Sequence, residues 1–256
     1  MALLEIKDLT VRFGGVVAVN RFSTKIEQGI VHSLIGPNGA GKTTVFNAIT
    51  RVVRPDQGNI IFDGHSLKGL KPFQVINHGI SRTFQNLEIF KLMTVGENML
   101  VGHHREFRTR VTNETLRTKA VREEETAAWT RVLEVAEMLE IKNRLNTYAG
   151  MLPYGLQKRV ELARALMCEP KLMLIDEPAA GLNTTETIEL KKHIHTFTKK
   201  LGITVLLVEH DMTLVMDISD QITVMNFGHK IAEGTAKEIK NDPKVIEAYL
   251  GESKYA

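Results

Sequence analysis

Two stretches of this 256-residue chain hold residues whose types and spacing could grip and cleave a phosphate chain. The first is GPNGAGKTT, Gly36 to Thr44. It fits G-x-x-x-x-G-K-[ST] and lies between an apolar run, GIVHSLIG, and a helix-like segment, KTTVFNAITRVV. Gly36, Gly39 and Gly41, with Pro37, Asn38 and Ala40 between them, let the backbone curl so that N–H groups point inward at phosphate oxygens. Lys42 supplies a point charge for the terminal phosphates. The Thr43 hydroxyl can ligate Mg²⁺, and Thr44 leads into a helix whose positive end faces the anion. The second stretch is KLMLIDEPAAGLN, Lys171 to Asn183, in which four apolar residues run into Asp176 and Glu177. Alone, such a pair is ordinarily solvated surface. Beside a phosphate loop it takes on roles. Asp176 would hold Mg²⁺, directly or through water, and Glu177 could polarise an attacking water as general base. The apolar run then reads as a buried strand next to the strand of the phosphate loop, with its acids at the carboxyl edge of a sheet.

The remaining elements must place these two stretches together. LLEIKDLTVRF alternates as a half-buried strand does, and NIIFDGHSL reads as strand and turn. AAWTRVLEVAEMLEI and LQKRVELARALMC have helical periodicity. LMLI and ITVLLV are apolar strands on either side of the helical TETIELKKHIHTFTKK. QITVMNFGHKIAEGT predicts a hairpin around Phe227-Gly228, and AKEIKNDPKVIEAYLG a helix, a break and a helix. Strands alternating with helices predict a mostly parallel α/β sheet, with an antiparallel portion from the early strands. We expect one domain over 1–256, with a core at approximately 1–85 and 166–256 and a helical subdomain at approximately 86–165. The polar stretch 103–127 is expected to be a solvated helical insertion or mobile excursion rather than a nucleic-acid arm.

Composition narrows the classes. Hydrophobic content of 43%, charged content of 25% and a formal net charge of +3 are ordinary for a soluble globular protein. Nothing in the sequence approaches the roughly 20 apolar residues of a membrane span, and the start does not read as a secretory signal. The single cysteine, Cys168, excludes an intrachain disulfide and is expected to be a small buried hydrophobe. His193 and His195, two apart on a helix, make a poor metal pair; His103-His104 are read as surface or packing residues. Trp129 is expected in the core or an interface.

With several other motifs, in order along nearly the whole chain, these stretches resemble the nucleotide-binding subunits of ABC transporters. The resemblance implies a P-loop NTPase head of α/β class, with a mostly parallel core sheet, an antiparallel β portion and a helical subdomain. It implies ATP and Mg²⁺ as ligands and ATP hydrolysis as the activity. Phe13 in VRFGG stands where the family places a ring that stacks on adenine, a contact worth about 1–3 kcal/mol in nucleic-acid systems. Gln85 in RTFQN matches the glutamine that touches Mg²⁺ or the attacking water and moves with the membrane partner. GLNTTET follows the acids as the D-loop, with Asn183 in place of the usual aspartate. His210 in LLVEHD matches the switch histidine at the γ-phosphate. The signature stretch is LPYGLQKRVELARAL; Pro153, Tyr154 and Leu156 replace the common serine, glycine and glutamine, while Gly155 remains. Pro at the first turn of a helix costs little, but the hydroxyl that binds the γ-phosphate across the dimer is gone.

The resemblance further implies a dimer that sandwiches two ATP molecules, formed with a second ABC ATPase subunit that is either another copy or a homologue. Two membrane permease subunits would take up its motion. The nearest resemblance is to ATP-binding subunits of branched-chain amino-acid importers, carried by RTFQNLEIFKLMTVGENMLVG, the Tyr-Gly signature, the long insertion near 103–127 and GHKIAEGTAKEIKNDPKVIEAYLG. It implies a peripheral position on the cytoplasmic face of the inner membrane, an indirect link to a periplasmic amino-acid-binding protein, and no nucleic-acid partner. A related head acting on DNA or ribosomes would more often carry coiled-coil arms or two heads; here there is one P-loop and no sustained heptad. A catalytically dead regulator would not be expected to keep Lys42, Glu177 and His210.

Overall fold

The computed structural model describes residues 2–83, 87–103 and 119–252. Its centre is a six-stranded sheet in the order β10-β9-β3-β8-β7-β6. β3 is Val31–Ile35, β6 Ile80–Arg82, β7 Leu172–Asp176, β8 Thr204–Val208, β9 Gln221–Asn226 and β10 His229–Gly234. Five of these strands run parallel, and β10 returns antiparallel to β9. The apolar runs are continuous rather than alternating because both faces are covered. Leu172 and Leu174 pack into one apolar layer, and Met173 and Ile175 into the layer on the other side. Each such side chain contributes about 1.5–3 kcal/mol when fully buried.

One covering layer is helical. α3 (Val95–His103), α4 (Lys119–Met138), α5 (Tyr154–Leu166) and α6 (Thr184–Lys199) share an apolar cluster with that face of the sheet. The opposite face holds α1 (Lys42–Ile49), whose Val45, Phe46, Ala48 and Ile49 are buried. Over α1 lies an antiparallel sheet, order β2-β1-β4-β5, made of β1 (Ala2–Phe13), β2 (Val16–Glu27), β4 (Gln57–Phe62) and β5 (His65–Ser66). α2 (Pro72–Val75) precedes β6. α7 (Met212–Ile218), α8 (Ala236–Lys240) and α9 (Pro243–Glu252) gather at the β9–β10 end, mostly in a third, smaller cluster.

One expected strand pairing is not found. β7 is not next to β3: β8 lies between them, paired to both. Chain order does not fix spatial order in a parallel sheet, because each crossover can skip a position. VGENMLVG is a helix, begun by a Thr94–Glu97 capping box in which Glu97 accepts from Thr94 N at 2.7 Å and Thr94 Oγ1 accepts from Glu97 N at 3.2 Å. α1 stops at Ile49, because Arg51 turns to φ 60°. Residues 104–118 of the polar insertion, and with them His104, lie outside the described residues; 119–127 open α4. Cys168 is buried, its thiol 3.2 Å from the Gly102 carbonyl oxygen. Trp129 is partly exposed and lays its ring edge where a Cβ on Gly96 would stand.

Candidate active site

Parallel pairing brings three strand ends level. Val208 is the register partner of both Leu34 and Asp176. The chain therefore leaves β3 into Gly36, β7 into Glu177 and β8 into Glu209-His210 along one edge of the sheet, the edge where parallel α/β sheets bind ligands.

The phosphate loop is shaped by what its glycines lack. Gly36 has φ 150°, and a Cβ there would fall 2.1 Å from the Met225 carbonyl oxygen. Gly41 has φ 101°, and a Cβ would fall 2.5 Å from the Ala18 carbonyl oxygen. Both obstacles are backbone, so neither can move aside. Ala40 N donates to Pro37 O at 3.1 Å and closes the curl; Gly228 N, in the turn between β9 and β10, donates to Ala40 O at 3.0 Å and holds it from behind. Lys42 folds its ammonium back over the loop, donating to Gly36 O at 2.6 Å and Pro37 O at 2.9 Å. Thr43 is exposed at the start of α1.

Asp176 ends β7 at 2% exposure. Arg82, from the end of β6, donates to its Oδ2 at 3.0 Å and to Asn47 Oδ1 of α1 at 2.7 Å. Burial raises the Asp176 pKa above the usual carboxylate value; the hydrogen bond and charge of Arg82 oppose this, the Glu177 charge adds to it, and Lys42 opposes it. A buried carboxylate between Arg82 and the ammonium of Lys42 fits a divalent-cation ligand: the ion's charge would offset the desolvation that now disfavours ionisation. Glu177 departs from strand geometry at φ 46°, its N–H held by Val208 O at 2.8 Å. A non-glycine residue in that region costs about 1–3 kcal/mol and turns the chain sharply. The kink separates the two acids: Asp176 stays in the sheet, while Glu177 is about a quarter exposed, at 23%, and reaches toward His210, Nδ1 to Oε2 at 3.8 Å.

His210 is exposed, but its base is fixed. Glu209, only 2% exposed, accepts from the N–H groups of His210 and Asp211 at 3.3 Å and of Ala179 at 3.4 Å. It thereby ties the end of β8 to the loop that follows Glu177. Burial raises its pKa, against the pull of those backbone donors.

The GLNTTET and LPYG stretches meet. Asn183 is the N-cap of α6: its Oδ1 accepts from Glu186 N at 3.0 Å, and Asn183 N donates to Glu186 Oε2 at 2.9 Å. Asn caps as well as Asp, which accounts physically for the amide at this position. Pro153 is the N-cap of α5, just before the first turn, with no side-chain hydrogen bond to the first amides. Glu186 brings a carboxylate to that end instead: a Cβ on Gly155 would lie 2.1 Å from Glu186 Oε1. An acid beside a helix N-terminus is favourable, so α6 supplies charge where the signature has lost a hydroxyl. Tyr154 covers Gly181.

Phe13 closes β1 at 51% exposure, free to offer a ring face. Gln85 lies outside the described residues. The chain after it is secured by Asn98, fully buried on α3, which donates to Phe90 O and Thr94 O at 3.0 Å and accepts from Phe90 N at 2.9 Å. Arg82 escapes sequence reasoning because its partners lie 35 and 94 positions away; Glu209, Glu186 and Asn98 also bond near neighbours, but the contact of Glu209 with Ala179 and of Glu186 with Gly155, and the burial of Asn98, come only with folding. The available signals were the polar Asn98 inside the apolar VGENMLVG and the capping spacing of Asn183 and Glu186 in GLNTTET.

A glycine-curled loop, a buried aspartate and a kinked glutamate on one edge of a parallel sheet define a P-loop nucleoside-triphosphatase. Residues 19–180 match the ABC transporter family, and residues 229–255 match the branched-chain amino acid ATP-binding cassette transporter family. The chain belongs to the ABC transporter family, as one of its ATPase cassettes. It is 46% identical to the high-affinity branched-chain amino acid transport ATP-binding protein BraF of Pseudomonas aeruginosa, over 98% of each chain. It is 44% identical to LivG, the protein of the same description from Salmonella typhimurium, again over 98% of each. Among solved structures, the ADP conformation of an ATP-binding cassette of an ABC transporter superposes with a TM-score of 0.85 at 34% identity, covering 98% of this chain and 99% of that one.

Proposed function

We infer that this chain is the ATP-hydrolysing subunit of a membrane importer for branched-chain amino acids. The observation that carries the reading is the shared sheet edge: phosphate loop, Asp176 and Glu177 leave level strands, in a chain that aligns over 98% of its length with BraF and LivG. Lys42 leaves the two carbonyls it now caps and pairs with the terminal phosphates. Thr43 and Asp176, with Gln85, would hold Mg²⁺, which when bound would supply charge neutralisation to the phosphate oxygens. Glu177 takes the proton of the attacking water, and His210 contacts the γ-phosphate. Phe13 stacks on adenine. Pro153, Tyr154 and Gly155 present the end of α5 to ATP on a second ABC ATPase subunit, this chain or a homologue. ATP stabilises closure because both heads contact it, and loss of the γ-phosphate lets them part. Core and helical subdomain divide near 85 and 166.

No described helix is long and apolar enough to cross a membrane. In this reading two separate permease subunits span the bilayer, the cassette docks on their cytoplasmic side, and a periplasmic binding protein delivers the amino acid. The test is purification of the tagged chain from detergent-solubilised membranes of its own cell. Hydrophobic permease subunits should co-purify, and ATP turnover in the reconstituted complex should rise when a leucine-loaded binding protein is added. Recovery with ribosomes or DNA, and no membrane subunit, would overturn the transport assignment.

A further inference from the structure

A basin of about 530 Å³ opens on the face of the antiparallel sheet turned away from α1, between β1, β2 and the edge strand β10. Strand alternation sets its lining. Val11 and Val19 pack into the α1 layer, so Thr10, Arg12 and Asn20 face the other way. A β-bulge adds a second cation. Leu9 pairs with Phe22 and Val11 with Val19, so Asn20 and Arg21 together oppose Thr10. Arg21 holds φ 48° and donates its N–H to Thr10 Oγ1 at 3.2 Å. Bulges of this kind re-aim side chains beside sites. Across the gap stand His229 and Lys230 of β10, with His229 Nε2 3.4 Å from Asn20 Nδ2.

Among the described residues no carboxylate lines the basin, although Asp8 behind it accepts from the lining Ser23 Oγ at 3.4 Å. Lys230 pairs with Glu233 at 2.6 Å, but neither Arg12 nor Arg21 forms a side-chain ion pair among the described residues. Asp56 nearby is engaged by the Arg12 N–H at 2.7 Å. Two unmatched guanidiniums flanking a threonine hydroxyl, with amide and imidazole donors opposite, suit a tetrahedral dianion, which arginine forks match in shape as well as charge. The volume leaves room for an organic group beyond the phosphate. No phosphate-loop residue and not Phe13 lines it, so this is not the nucleotide site. We propose that the basin between β1, β2 and β10 binds a phosphate monoester, with Arg12 and Arg21 on the phosphate.

The full chain, its nucleotide site filled with a non-hydrolysable ATP analogue and Mg²⁺, is titrated calorimetrically with glycerol 3-phosphate. In parallel it is sedimented with phosphatidylcholine vesicles, with and without phosphatidic acid. The analogue's own isotherm is recorded first, which keeps the nucleotide reading separately testable. A saturable isotherm for glycerol 3-phosphate, weakened about tenfold or more in Arg12→Gln/Arg21→Gln, is expected. Binding confined to phosphatidic-acid vesicles and lost in the same variant would support the site with a lipid headgroup as its source. Should the double variant unfold by circular dichroism, Arg12→Lys/Arg21→Lys keeps the charge without the fork, and several-fold weaker binding is expected. No saturable binding in either arm, or equal binding by parent and variant, overturns the proposal.

Discussion

Lys42 illustrates a side chain stored in a substitute role. Its ammonium satisfies Gly36 O and Pro37 O, the carbonyls that in the proposed function it leaves for the phosphates. Charged hydrogen bonds are worth about 1.5–3 kcal/mol each, so Lys42→Ala should lower ATP affinity about tenfold or more; a fluorescent-nucleotide titration checks this, and an unchanged curve would remove Lys42 from the phosphates. Phe13 carries a milder expectation. Phe13→Ala should weaken ATP binding by roughly tenfold, from stacking of about 1–3 kcal/mol, while kcat changes little; steady-state kinetics separate the two. These residues were legible in the sequence because each belongs to a contiguous motif. Arg82 was not: it reaches Asp176 across 94 positions and Asn47 across 35. Glu209 was hidden for a related reason. It adjoins a predicted site residue, yet burial and three backbone donors make it a brace for the loop after Glu177.

At the scale of elements, strands and helices could be read from periodicity, since β7 and β8 are apolar on both faces and α4 and α5 on one. Their neighbours in space could not, and β8 came to lie between β3 and β7. The contact of α5 with α6 was equally out of reach, because it depends on one missing Cβ. Gly155→Ala should push Glu186 off the α6 cap and cost about 1 kcal/mol, the usual worth of a cap. In a Glu186→Ala background the same change should cost much less, since the obstacle has gone. Urea denaturation of the four proteins measures the cycle. Additive costs would mean that the two helices meet without Glu186 as their link.

Across the whole molecule, the two sheets are joined by a buried polar chain. His32 Nε2 lies 2.8 Å from Thr223 Oγ1, which lies 3.3 Å from Thr24 Oγ1, which donates to Glu233 at 2.9 Å. Burial, partly opposed by the charge of Glu233, pushes the His32 pKa down to about 4. An unfolded imidazole titrates near about 6.5. The unfolded chain therefore takes up the proton first, and stability contributed by neutral His32 is complete above that value and lost as pH falls toward 4. Between pH 7 and pH 5 the loss from this residue is about 2 kcal/mol. His32→Gln should reduce the fall in urea-unfolding free energy over that interval by a similar amount; an identical fall in both proteins would place the acid sensitivity elsewhere. The sheets so joined hold the edge to which the proposed function assigns triphosphate binding and cleavage. The most direct test pairs ATP binding with phosphate release in the membrane-reconstituted complex, for the native chain and Glu177→Gln. The variant should bind Mg–ATP as the native chain does and release phosphate at least about 10²-fold more slowly, as loss of a general base requires; undiminished release would contradict the account.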